Sequence, residues 1–345
     1  MSERVLNIAY LGNGKSANRY HIPFVLTRPE KFRVAAVFAP HIQHEIWDAV
    51  PGVSYVEDID AVLGDPAIDI VEVCTPGATH YSLAKQALEA GKHVVVDKPF
   101  SATEAQAAEL FDLAESQGVT VQCYQNRRFD SDYLTARQVL ASGKLGRVFE
   151  VVTSYDYFRP HMMDGRGFDA IENAAFGHAT HCLDHLIAWF GAPDRFHAET
   201  RQMNGPGTAV DYFDYDLYYD GIGLKVTAHA NYAMATQRPS FALYGDRGSY
   251  IKMEKDQQER DLKHFYLPAG HEDFGLDSIE QHGVLRYVDE DGAMREERVP
   301  SVRSSYAQFY DALYETVAHG EPQLVQAAET CMQLRILEAG MVGMG

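Results

Sequence analysis

The stretch Leu6-Asn7-Ile8-Ala9-Tyr10-Leu11-Gly12-Asn13-Gly14-Lys15-Ser16-Ala17 constrains the fold more than any other part of the chain. Its first half is a short apolar run of the kind that forms a buried parallel strand. The run breaks at Gly12 and Gly14, and the spacing Gly12-x-Gly14-x-x-Ala17 predicts a strand, a tight turn and a helix. Gly12 permits the turn, Gly14 lets backbone approach a pyrophosphate, and Ala17 lets the helix pack close to the strand. The N–H groups of Asn13, Gly14, Lys15 and Ser16 then stand at a positive helix end, ready for phosphates. A plain strand-to-helix turn uses the same glycines, but its place at the start of a strand–helix–strand unit favours the dinucleotide reading.

The next segments repeat the alternation. Lys15 to Leu26 reads as a helix interrupted or kinked at Pro23. Val34–Phe38, Ile70–Cys74, Val94–Val96 and Val119–Val121 read as buried strands, with helices at His80–Ala90 and Thr103–Gln117 between them. That order predicts an open, doubly wound parallel sheet over residues 1–123. The second half reads differently. A helix at Ser131–Ser142 precedes strands at Val148–Phe158, Phe213–Tyr219, Leu224–Tyr232, Phe241–Tyr244 and Val284–Val288, and helices at Tyr306–His319 and Ala327–Val342 close the chain. Residues 124–345 are therefore expected to form an α+β domain, with Arg159–Asn173 as a polar loop over a cleft.

Composition limits the partners. The chain of 345 residues carries 49 acidic against 30 basic residues, a formal charge of −19 without a basic run, which argues against nucleic-acid or anionic-membrane partners. Cys74, Cys123, Cys182 and Cys331 are far apart without a Cys-x-x-Cys pair, as in a reduced cytoplasmic protein rather than a disulfide framework or zinc site. Met1-Ser2-Glu3-Arg4 lacks the apolar core of a signal peptide, and no run approaches the ~20 apolar residues of a membrane span.

Several residues could carry chemistry. The second strand ends in Phe38-Ala39-Pro40-His41, with no carboxylate to meet a ribose hydroxyl, which favours NADP over NAD; Lys15, Arg19 and His41 are candidate phosphate partners. Cys74-Thr75-Pro76 leads to His80 beyond a third strand, and Asp97-Lys98-Pro99 follows a fourth, at the rim where such sheets bind ligands. An ammonium at Lys98 can hold and polarise a substrate hydroxyl; a surface lysine is the bland alternative. His178, His181, Asp184 and His185 share one helix face, opposite Leu183, Leu186, Ile187 and Phe190. That face suits acid/base work or simple solvation, and no His-Glu-x-x-His pattern supports a metal. Tyr124-Gln125-Asn126-Arg127-Arg128-Phe129-Asp130 offers amide, guanidinium and aromatic groups for a polyhydroxylated ligand, or ion pairs for the arginines.

Taken together, Gly12-x-Gly14, Thr75-Pro76 with His80, Asp97-Lys98-Pro99, Asn126-Arg127-Arg128 and His181-x-x-Asp184 resemble the Gfo/Idh/MocA family of sugar and inositol dehydrogenases over nearly the whole chain. The run Tyr124–Asp130, with Arg238-Pro239, Tyr244-Gly245 and Gly248–Lys252, is most similar to the subgroup containing NADP-linked scyllo-inositol dehydrogenases. The resemblance implies an N-terminal Rossmann domain and a C-terminal α+β domain whose large, mostly antiparallel open sheet mediates homodimers or homotetramers. It implies Lys98 and His181 as the catalytic pair and no metal. Cofactor contacts fall to Gly12, Asn13, Gly14, Lys15, Ser16, Phe38, Ala39, Cys74, Thr75, Pro76, His80, Asp97, Lys98, Asn126 and Arg127. Substrate contacts fall to Lys98, Tyr124, Arg128, Tyr157, His181 and Asp184. The chain departs from the family pattern in Asp97 for a glutamate, Gly77 for an asparagine and Gly177 where an aspartate is frequent. The expected activity is NAD(P)-dependent hydride transfer at a secondary alcohol of a sugar, inositol or related polyol. A dinucleotide-dependent sensor and a redox-neutral sugar-modifying enzyme are the rivals.

Overall fold

Strand β1 (Leu6–Leu11) runs through the middle of a six-stranded sheet in the computed structural model, which describes residues 4–42, 47–161 and 164–343. The other strands are β2 (Phe32–Phe38), β3 (Ser54–Val56), β4 (Ile70–Val73), β5 (His93–Val96) and β6 (Val121–Cys123). All pair in parallel, in the order β3-β2-β1-β4-β5-β6. The direction of winding reverses between β1 and β4, so the crevice beyond the carboxyl ends of these two strands is where such a sheet takes a ligand.

Local chemistry explains where the elements depart from expectation. Pro23 opens a regular turn, Ile22–Val25, rather than interrupting a helix, because a proline in the first turn has no N–H to lose. The preceding Ala17–His21 is wound wide, with the Ile22 N–H bonded to the Ala17 carbonyl. Val119 does not start a strand: its N–H closes on Ala114 O at 3.0 Å after the left-handed Gly118, completing the helix Glu104–Gln117. Strand β3 has no apolar run to announce it and lies at the sheet edge.

The chain packs as two units. The first comprises Met1–Asn126, Arg260–Phe274 and Ser305–Cys331; the second comprises Arg127–Glu259, Gly275–Ser304 and Met332–Gly345. A contiguous split at 123/124 thus differs by residues 124–126 and by the late segments that return to the first unit. Aromatic packing explains part of that return. Helix Ala307–His319 sets Tyr310 and Tyr314 edge-on to Phe32 at 6.0 and 5.8 Å, while Asp311 takes Arg28 and Lys31 at 2.9 and 2.8 Å.

The second unit is built on an eight-stranded sheet. Its strands are β7 (Val148–Ser154), β8 (Arg195–Arg201), β9 (Tyr212–Tyr219), β10 (Leu224–Asn231), β11 (Phe241–Gly245), β12 (Gly248–Lys252), β13 (Gly283–Val288) and β14 (Met294–Val299). The order is β14-β13-β12-β11-β7-β10-β9-β8, antiparallel throughout except for β7 with β10. The sequence analysis names no strand at β8, β12 or β14: β8 and β14 are charge-rich edge strands, with charges on one face of β8 and on both of β14, and the inner β12 is a short run begun by Gly248-Ser249. Helices Ser131–Ala141 and Thr180–Phe190 pack on the inner strands. The loop expected at Arg159–Asn173 is mostly irregular; its Met162 and Met163 lie outside the described residues. Among the described residues no helix is long and apolar enough to cross a membrane.

Candidate functional site

In the first unit the glycine turn sits on the end of β4. Gly12 has φ 120°, its N–H bonds Phe38 O at 2.7 Å, and a Cβ there would lie 2.6 Å from Cys74 O. No other residue fits without moving β4. Gly14 is exposed, and a Cβ on it would meet nothing within 4 Å, so the space over the turn is open. Open space above exposed backbone at a helix start, beside the switch point, is the arrangement that accepts a pyrophosphate. Gly12, Asn13, Gly14, Lys15 and Ser16 therefore fit a dinucleotide. Asn18 steadies the loop, its amide donating to Asn13 Oδ1 and Gly14 O at 3.0 Å each. Arg19, by contrast, is buried with its guanidinium 4.5 Å from the Phe265 ring centroid, and is not a surface cation awaiting phosphate.

Lys98 follows β5 and is half-buried. Asp97 fixes its backbone: the Lys98 N–H donates to Asp97 Oδ1 at 2.7 Å, and Ser16 Oγ donates to Asp97 Oδ2. One carboxylate thus fastens the lysine strand end to the glycine turn. His80 ties the next loop, meeting Pro99 O at 2.7 Å and Thr75 O at 2.8 Å, while Thr79 donates to Thr75 Oγ1 at 2.8 Å. Fully buried with both ring nitrogens turned to backbone, His80 positions Thr75 and Pro99 and has no face left for a cofactor.

Behind Asp97 lies a cluster that the sequence reading missed. His21 Nδ1 is 2.8 Å from Glu72 Oε2 and 3.0 Å from Tyr310 Oη, and its Nε2 is 3.8 Å from Asp97 Oδ2. Burial works against a charged ring, yet the Glu72 and Asp97 carboxylates outweigh it and hold the His21 pKa well above the usual value. Asp97 moves the opposite way: burial would raise it, but His21 and Lys98 hold it below the carboxylate range. Burial pushes the Cys74 thiol up to about 12, so it keeps its proton at neutral pH. One atom each of His21, Glu72 and Cys74 lie within 4.8 Å of one another. The short His21–Glu72 contact makes that group an ion-pair cluster, and a metal there would have to displace the His21 and Cys74 protons. The signal was Glu72 itself, an acid inside the apolar run Ile70–Val73. Tyr124 belongs to the same interior: its ring lies 3.9 Å from His21 and its hydroxyl donates to Tyr20 O. It is core, which corrects its assignment to substrate.

In the second unit His181, Asp184 and His185 of the histidine face are buried, not solvated, and His178 is half-buried. Every residue from Thr180 to Ile187 is enclosed. Arg128 grips Asp184 through two bonds of 2.8 and 2.7 Å, so two residues assigned to substrate meet each other. Arg127 pairs with Asp130 at 3.0 Å and Glu259 at 2.9 Å. His185 stacks on Tyr133 at 4.2 Å and donates to Arg127 O at 2.7 Å; burial lowers its pKa to about 3, so it stays neutral. His181 is different. It faces Tyr155, with ring centroids 6.4 Å apart, in a group where His178 lies 5.7 Å from Tyr155 and 5.2 Å from Tyr157, and bonds Tyr232 Oη at 2.6 Å. Burial raises the Tyr157 hydroxyl pKa, so it keeps its proton. A Cβ on Gly177 would meet nothing within 4 Å. A cavity of about 210 Å³ opens beside Tyr232, lined by Arg159, Met203, Asp211 and Asn231 among others. Lys98 and His181 belong to different units.

Comparison with known proteins covers both units. The model of the oxidoreductase family's NAD-binding Rossmann fold matches residues 6–125, and that of the same family's C-terminal alpha/beta domain matches residues 137–343. The uncharacterized oxidoreductase YhhX of Escherichia coli is 42% identical over 340 residues, 97% of this chain and 96% of that protein. A crystal structure of a probable oxidoreductase yhhX superposes with a TM-score of 0.91 at 40% identity, covering 99% of this chain and 98% of that one. The scyllo-inositol 2-dehydrogenase (NADP(+)) IolW of Bacillus subtilis is 28% identical over 340 residues, 97% of this chain and 93% of that protein.

Proposed function

Since the chain belongs to the Gfo/Idh/MocA oxidoreductase family, we propose that it oxidises a secondary alcohol of a sugar, inositol or related polyol reversibly, with NADP preferred to NAD. A bound nicotinamide dinucleotide supplies the hydride acceptor. The chain's own residues do the rest. His181 takes the hydroxyl proton as general base, and the Lys98 ammonium holds and polarises the same oxygen. Asp97 sets the lysine backbone, and His178 with Tyr157 lines the polyol. The carrying observation is the Ser16–Asp97–Lys98 chain, which ties the dinucleotide turn to the lysine in one unit.

Two further points support the reading. The second strand ends without an acid, and IolW, named as an NADP(+) enzyme, is similar over nearly its whole length. We also propose a cytoplasmic setting, where the four cysteines would stay reduced. Self-association would use the eight-stranded sheet. A panel of inositols and sugars, assayed by nicotinamide absorbance with NADP and NAD separately, tests the proposal. Turnover of at least one polyol, faster per mole of NADP than of NAD, is expected. Polyol binding without any absorbance change would replace the enzyme by a sensor. Product without net cofactor reduction would make it redox-neutral.

A further inference from the structure

Two lysines close together in sequence are treated in opposite ways. Lys252 is fully buried and saturated: its ammonium donates to Asp277 at 2.5 Å, Gln281 O at 2.6 Å and Ser301 Oγ at 3.0 Å. That is how this unit accommodates a structural lysine. Lys255 has none of it. Among the described residues none gives its ammonium a hydrogen bond or an ion pair. It rests instead over two aromatic rings, 4.7 Å from the centroid of Tyr155 and 5.7 Å from that of Tyr157. Cation–π contact offsets only part of the loss of water around an ammonium.

The acids around Lys255 are already engaged. Asp132 accepts from Ser240 Oγ and the Tyr133 N–H, and Asp156 accepts from Arg238 Nε at 2.9 Å and the Asn231 N–H at 3.0 Å. Arg127, also over Tyr155 at 5.7 Å, is held by Asp130 and Glu259. Tyr155 and Tyr157 are the same two rings against which His178 and His181 pack. A half-buried ammonium with no protein acceptor among the described residues therefore stands beside the rings of the proposed polyol site.

We infer that Lys255 receives an anionic substituent of the substrate, so that the preferred substrate is a sugar or cyclitol carrying a carboxylate or phosphate rather than a neutral polyol. This rests on the polyol reading of the His181 site. An anion would give Lys255 the partner that Asp277 gives Lys252, whereas a neutral hydroxyl would leave the charge uncompensated. Desolvation lowers the Lys255 pKa, consistent with an ammonium short of a partner. The chain's formal charge of −19 repels anions in general, so binding one requires a dedicated cation.

Matched pairs test the inference with the full chain: D-glucose against D-glucuronate and D-glucose 6-phosphate, D-galactose against D-galacturonate, and myo-inositol against its monophosphate. Calorimetric binding is read with and without NADP, and nicotinamide absorbance separately. An acidic member should bind at least about tenfold more tightly than its neutral twin, and the uronate and phosphate arms identify the anion. Lys255→Met should weaken that acidic ligand by roughly a hundredfold and leave the neutral twin unchanged. It should also raise the thermal midpoint, since it removes an unpartnered charge while keeping the stem over the rings. Equal or better binding of every neutral twin overturns the inference, as does equal weakening of both members in Lys255→Met. Acid-selective binding without absorbance change would sink the redox reading alone; turnover of neutral polyols only would sink this inference alone.

Discussion

The His21–Asp97 cluster of the first unit and the His185, Asp256 and Lys255 groups of the second bury their charges under opposite rules. In the first, partners win: Glu72 and Asp97 lift His21 above its usual range, and His21 and Lys98 pull Asp97 below its own. In the second, burial wins: His185 falls to about 3, Asp256 rises to about 7 and Lys255 is lowered. A paired cluster is fixed in charge and geometry across the working pH range, as the support of a dinucleotide turn and a lysine rim requires. Groups left to desolvation are either structural and neutral, like His185, or short of a partner, like Lys255. The contrast separates a scaffold of charge from a receiving surface.

The largest way to break this comparison is to remove one partner of the first cluster. Glu72→Ala should destabilise the protein by about 3–5 kcal/mol in denaturant unfolding, because it strands a buried imidazolium, whereas His21→Leu with Glu72→Leu should cost much less. A loss below about 1 kcal/mol for the single variant would mean that the pairing does not hold His21 charged.

Next comes catalysis. Lys98→Ala and His181→Ala should each lower turnover at least roughly a hundredfold, about 2.7 kcal/mol of barrier, while dinucleotide binding persists. Near-wild-type turnover of either variant removes that residue from the chemistry.

A smaller effect sharpens the pH contrast. Asp256 accepts N–H groups from Ser131 and Gln258 in the interior, and its folded pKa of about 7 exceeds the unfolded value of about 3.9, so the folded state holds the extra proton between them. Its contribution falls as pH rises from about 4 to about 7. His185 does the reverse: its folded pKa of about 3 lies below about 6.5, so its contribution falls as pH drops through that window. The two nearly cancel between about pH 4 and 6.5. Asp256→Asn should therefore expose a positive slope of about 1.4 kcal/mol per pH unit in that window, and His185→Gln a negative one. His21 adds its own signature: with a raised folded pKa, its share is intact below about 6.5 and is lost as pH climbs through the folded value. Unchanged stability–pH curves in both single variants would refute the assignment.

The smallest effect concerns Gly177. A side chain there meets open space, so Gly177→Asp should fold normally and change the turnover-against-pH profile by a few-fold at most. A collapse in stability would show that the position is closed.

Much of this was legible from residues alone, and the misses have physical causes. The strand–turn–helix at Gly12, the buried strands and the helix carrying His181 follow from apolar runs and glycine punctuation, which are local. Strands β3, β8 and β14 lie at sheet edges, where no apolar pattern is needed, and the inner β12, Gly248–Lys252, is too short and too polar at its start to stand out. Whether a polar residue is solvated or paired depends on residues distant in sequence: Asp184 finds Arg128, and His21 finds Glu72 and Tyr310. The acid in Ile70–Val73 did announce that some buried cation must answer it. Lys255 gave no such notice, because Glu254-Lys255-Asp256-Gln257 reads as any surface loop.

The central claim is hydride transfer from a polyol carbon. It is tested most directly by supplying a turned-over polyol deuterated at the carbinol carbon and following the label. Deuterium on C4 of the reduced nicotinamide, with turnover slowed by the isotope and abolished in His181→Ala, is the predicted result. Deuterium retained in the sugar product, or lost to water with no label on the nicotinamide, would contradict it.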